Sequence, residues 1–106
     1  MADEAALADV VRYIVQRVDP ERIILFGSRA RGAAAPDSDW DLLIVDDAPV
    51  PRPGLLSDLC RDLVRIAAPP VDLLLYRREQ FEQRRHERNS VIGRAAREGR
   101  VVYERP

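Results

Sequence analysis

Lysine is absent from this chain: all seventeen basic residues are arginine. A phosphate loop ending in Gly-Lys-Ser/Thr is therefore excluded, and the spacing of Gly27 and Gly32 does not make the three-glycine dinucleotide fingerprint either. A single cysteine rules out an internal disulfide. Cys60 falls at helical spacing with Leu56, Leu59 and Leu63, so it reads as a core thiol and not as a nucleophile. The only histidine, His86, has no Cys or His companions, which leaves no zinc site and a surface helix position as its reading. Net charge is −1 with 33% charged residues, so no global basic field draws the chain to nucleic acid or membrane. The local basic stretch, Arg77-Arg78 and Arg84 to Arg88, is interleaved with Glu79, Glu82 and Glu87 in the manner of a solvated helix. No apolar run approaches the roughly 20 residues of a membrane span, and Met1-Ala2-Asp3-Glu4 lacks the charged and apolar regions of a signal peptide. A cytoplasmic location is expected. At 106 residues the expectation is one domain over 1–106, large enough for one core but without a second substrate-binding lobe.

What is present concentrates in two short stretches. Leu25-Phe26-Gly27-Ser28-Arg29-Ala30-Arg31-Gly32 closes an apolar strand with small residues that can start a helix, leaving backbone N–H groups free to face an anion. Arg29 and Arg31 stand where a guanidinium can grip a phosphate in bidentate fashion; for Arg31 an ion pair on a solvated helix face is the stronger reading. A few residues later comes Asp37-Ser38-Asp39-Trp40-Asp41, opening a second apolar run. On a strand Asp39 and Asp41 emerge on one face, roughly 6.5 to 7 Å apart along the backbone. Paired carboxylates repel unless a cation lies between them, and such oxygen donors suit Mg²⁺ when substrate phosphates complete its shell. A third acid, Asp72, interrupts the apolar run Val71 to Tyr76 and is costly to bury there unless paired or metal-bound. Beside the pair it can bind a second metal and take a proton from an attacking hydroxyl. Taken singly, Gly-Ser is a common turn, Asp-x-Asp a common strand cap, and Asp72 an ordinary ion-pair partner for an arginine. Their occurrence in this order, on three successive strand-like runs, points to phosphoryl or nucleotidyl transfer.

The periodicity predicts the elements that carry these residues. Leu7, Val10, Val11, Ile14, Val15 and Val18 form a helix stopped by Asp19-Pro20. Strand Arg22 to Phe26, a short helix near Ser28 to Ala34 and strand Trp40 to Val45 follow. The proline-bearing loop Asp46 to Gly54 precedes a helix from Leu55 to about Ala67, with Leu56, Leu59, Cys60, Leu63 and Val64 inward. Pro69-Pro70 then resets the chain for a strand from Val71 to Tyr76. Glu79 to Glu87 and Ser90 to Glu98 read as helices, Gly99 as a helix C-terminal glycine, and Val101 to Tyr103 as a last strand. Trp40, between the two aspartates, should point to the opposite face and into the core. The three acids and Gly27-Ser28 can share one site only if the first two long strands are antiparallel and the second and third parallel. That gives an α+β (α/β two-layer) fold, a mixed sheet flanked by helices, mainly on one face.

Gly-Ser, the Asp-x-Asp strand and the later strand Asp together resemble the nucleotidyltransferase superfamily that includes DNA polymerase β. The wording Gly-Ser-Arg-Ala-Arg-Gly with Ser-Asp-x-Asp-Leu is similar to its minimal nucleotidyltransferase (MNT) group, over residues 22–76. The resemblance implies that Gly27, Ser28 and Arg29 bind the triphosphate, that Asp39 and Asp41 with Asp72 hold two Mg²⁺ ions (Mn²⁺ as substitute), and that Asp72 activates the acceptor. It further implies ATP as donor and a role as the antitoxin of a two-gene module, placing AMP on a tyrosine of a small helical HEPN ribonuclease toxin. Two other classes remain open at this point: a non-catalytic nucleotide-binding antitoxin module, and a small-molecule transferase of the aminoglycoside-modifying kind, for which the chain is short of an acceptor pocket.

Overall fold

The computed structural model describes residues 2–27, 30, 39–48, 52–66 and 70–106. Strand β1 (Arg22–Phe26) buries Ile23, Ile24 and Leu25 in succession, so both its faces are covered. It forms the interior of a four-stranded sheet of order β3-β2-β1-β4, with β2 at Trp40–Asp46, β3 at Val71–Arg77 and β4 at Arg100–Glu104. β1 is antiparallel to β2 and β4, and β2 is parallel to β3, the mixed arrangement that the placement of the acids requires.

Alternation along the strands divides the interior in two. On one face Ile23, Leu25, Trp40, Leu42, Ile44 and Leu73 meet helix α1 (Ala2–Val18) and helix α2 (Leu55–Ile66). Helix α1 contributes Leu7, Val10, Ile14 and Val18, one stripe at three- and four-residue steps, while Val11 and Val15 on its flank are half-buried. On the other face a smaller core joins Ile24, Leu43 and Val45 to Phe81 of α3 (Arg78–Arg84) and to Ile92 and Ala95 of α4 (Val91–Glu98). Cys60 is half-buried against the larger core, as its spacing predicts, and His86 is exposed.

Two expectations need correction. Val64 is not inward: it is 80% exposed, because α2 buries only the line through Leu59 and Leu63 and Val64 lies beyond its edge. Helix α3 ends at Arg84, short of Glu87, because the Arg97 guanidinium takes the carbonyls of Glu87 and Arg88 at 2.8 Å each and turns the chain toward α4. Gly99 caps α4 as expected, with φ −79°. Its need is steric: a Cβ there would stand 2.4 Å from the Ala95 carbonyl oxygen and 2.5 Å from Ile24 Cγ2. The helix expected near Ser28 to Ala34 lies outside the described residues apart from Ala30.

Candidate active site

Trp40 fixes which way the acids face. Its side chain is only 4% exposed within the larger core, so Asp41, the next residue of β2, must point to the opposite face, while Asp39 stands exposed just before the strand. A slip of one residue would put indole in solvent and carboxylates in the core. The start of β2 is tied to the start of β3 by the Trp40 N–H, which donates to the Pro70 carbonyl at 3.0 Å. That bond sets the parallel register in which Asp41 lies beside Asp72 and Trp40 beside Val71. Neighbouring strands are about 4.8 Å apart, so the two carboxylates leave adjacent positions on the same face.

On the other flank of Asp41, the antiparallel register pairs it with Phe26, and Gly27 follows at once. Gly27 has φ +77°, a left-handed conformation that L side chains avoid. A Cβ at Gly27 would stand 2.3 Å from Asp41 Oδ2. Gly27 and the first acid of β2, Asp41, are therefore in contact, and glycine is needed for the contact as well as for the backbone angle. Asp41 is half-buried there, whereas Asp39 and Asp72 are exposed. The burial argument for Asp72 consequently does not hold: as the second residue of β3 it is exposed. Ser28 and Arg29, expected to hold the nucleotide, lie outside the described residues.

The donor set is all carboxylate oxygen. Among the described residues, no group of three or more His, Cys, Asp or Glu is drawn closely enough together to hold a metal ion by itself. Carboxylate oxygen is the donor type that suits Mg²⁺, which takes one or two carboxylates and completes its octahedron from phosphates and water.

A family model described as a nucleotidyltransferase domain matches residues 7–100. The chain belongs to the nucleotidyltransferase domain family. Among solved structures the chain is similar to a candidate nucleotidyltransferase from Sulfolobus solfataricus, at 20% identity and TM-score 0.58, over 98% of this chain and 87% of that one. It is also similar, at 17% identity and TM-score 0.58, to a structure described as a toxin-antitoxin with AMP-PNP, over 91% of this chain and 72% of that one. At these identities the likeness is one of fold. No match was found among proteins of curated function.

The sequence reading missed the steric partnership of Gly27 with Asp41. Its only signal was the glycine itself, which the phosphate loop already explained.

Proposed function

We propose that this nucleotidyltransferase-family chain moves AMP from ATP to a hydroxyl of a partner protein, in a reaction dependent on divalent metal, and that the partner is a HEPN ribonuclease toxin for which it is the antitoxin. The observation that supports the reading most is the packing of Asp41 against Gly27 with Asp72 as its register neighbour, which joins a phosphate-binding turn to two acids. Asp39 and Asp41, with Asp72, would hold Mg²⁺ or Mn²⁺; a bound ion of this kind neutralises triphosphate charge and polarises the α-phosphorus. Gly27 presents its backbone where no side chain obstructs the outer phosphates, and Ser28 and Arg29 follow it as hydrogen-bond donors. Asp72 accepts the proton of the acceptor hydroxyl. The acceptor oxygen then bonds to the α-phosphorus as the α–β bridging bond breaks, and pyrophosphate leaves in line.

Resemblance to the MNT group and the fold shared with a toxin-antitoxin protein support the partner's identity. The test is co-expression with the product of the adjacent gene. Relief of growth arrest should coincide with a partner heavier by one adenylyl group in intact-mass spectrometry. Relief that persists in Asp39→Asn without added mass would favour the non-catalytic binding module instead.

A further inference from the structure

Between α1 and the edge strand β4 lies an open groove of about 690 Å³, walled by Leu7, Val11 and Val15 on the helix and by Val101, Val102 and Tyr103 on the strand. Val11 and Val15 form the flank of the α1 stripe that the core leaves half-covered, and Val101 is 50% exposed. Strands repeat at about 4.8 Å and packed helices at 8–10 Å, so the next helix beside α1 in its layer would lie over β4. A strand is a poorer occupant. β4 pairs with β1 through an irregularity between Ile23 and Ile24, and a bulged edge resists strand addition.

Charge narrows the choice further. Arg12 and Arg100 line the same groove; Arg12 is held by Asp9 at 3.1 Å, whereas Arg100 has no ion-pair partner among the described residues. Two copies of this chain meeting groove to groove would offer Arg100 no carboxylate, since no acid lines the groove among the described residues. Arg100 also registers with Leu25, two residues before Gly27, so one end of the groove lies at the end of the sheet that carries the acids, although the acids leave its opposite face.

We propose that the groove receives an amphipathic helix of the partner protein, apolar face inward, with a carboxylate of that helix on Arg100. This rests on the reading that the chain acts on a protein partner, and it assigns a surface by which that partner is held. The probe is the purified product of the adjacent gene, titrated against the full chain. Val101→Asp and Arg100→Glu alter exposed side chains, so both should keep the wild-type melting transition and AMP-PNP binding. Each should weaken association about tenfold or more. A photo-crosslinker at Val101 should join to a helical segment bearing acidic residues. Wild-type affinity in both variants would overturn the groove while leaving the partner reading intact, and a crosslink between two copies of this chain would overturn it in favour of self-association. If the wild-type chain itself does not bind, the partner reading fails and the docking surface falls with it.

Discussion

Gly27 answers to two constraints, a backbone angle and a neighbour, and they can be separated by mutation. Alanine at a left-handed position costs roughly 1–2 kcal/mol, and here its methyl would also displace the Asp41 carboxylate. Gly27→Ala should therefore lower stability by at least that amount in denaturant titration and depress nucleotide transfer along with it. In the double variant Gly27→Ala/Asp41→Gly the collision is gone. Stability should recover part of the loss, the left-handed cost should remain, and the two effects should be non-additive. Equal stability of Gly27→Ala and wild type would contradict the contact. That glycine was legible in the sequence as part of a phosphate turn. Its contact with Asp41 was not, because it exists only once the β1–β2 register brings together two segments that are apart in the sequence.

At the scale of elements, the sequence was most informative where a strand or helix presents a whole face. Strand β1 matches its expected limits because its apolar residues are buried on both sides; β2 and α2 differ only at their ends. Connections were less legible, and α3 and α4 show why. Ser90 accepts a hydrogen bond from the Gly93 N–H at 2.9 Å, a cap visible in the sequence. Gly93 is different: as a helix-interior glycine it looks replaceable, and propensity alone credits alanine with about 1 kcal/mol. In the structure a Cβ there would stand 1.8 Å from the Glu87 carbonyl oxygen, which is backbone already held by Arg97. Gly93→Ala should consequently destabilise the protein by more than about 1 kcal/mol, the opposite sign from propensity. Thermal or denaturant unfolding decides it, and a gain in stability would show that the α3–α4 turn yields easily. The placement of Val64 fails for a related reason. Apolar character marked it as inward, but only the angular position set by Leu59 and Leu63 decides which side of α2 the sheet covers.

For the whole molecule, arginines bind the ends of distant segments together. Arg105, just past β4, donates to both carboxylate oxygens of Asp47 and, at 3.1 Å, to the Asp19 carbonyl, so the chain's exit is tied to the loops after β2 and α1. Hydrogen bonding from Arg105 holds the Asp47 carboxyl below its usual range. A lowered folded-state value means that the pair's stabilisation is fully present above the ordinary aspartate range and is lost as pH falls through the lower value. Asp47→Asn should thus melt below wild type above about pH 5, with the difference shrinking as acid protonates the wild-type carboxylate. A difference that stays constant into strong acid would contradict the assignment. Such ties were illegible in the sequence, where seventeen arginines and eighteen acids offer far more pairings than the fold uses. Gly27-Ser28 at the end of one strand and the acids at the start of the next two were legible, and their sharing one site implied a mixed sheet. The direct contact between Gly27 and the Asp41 carboxylate was not, because it depends on side-chain placement within the β1–β2 register.

Transfer itself is the most direct test of this account. Full-length chain, Mg²⁺ and ATP labelled at the α-phosphate are incubated with the protein encoded next to it, and label on that protein is counted for wild type, Asp41→Asn and Asp72→Asn. The wild type should label its partner only when the metal is present, and both variants should lose transfer while keeping a cooperative melting transition. Undiminished label with Asp41→Asn, or label independent of divalent metal, would contradict the assignment of the Gly27, Asp41 and Asp72 end of the sheet as the reaction centre.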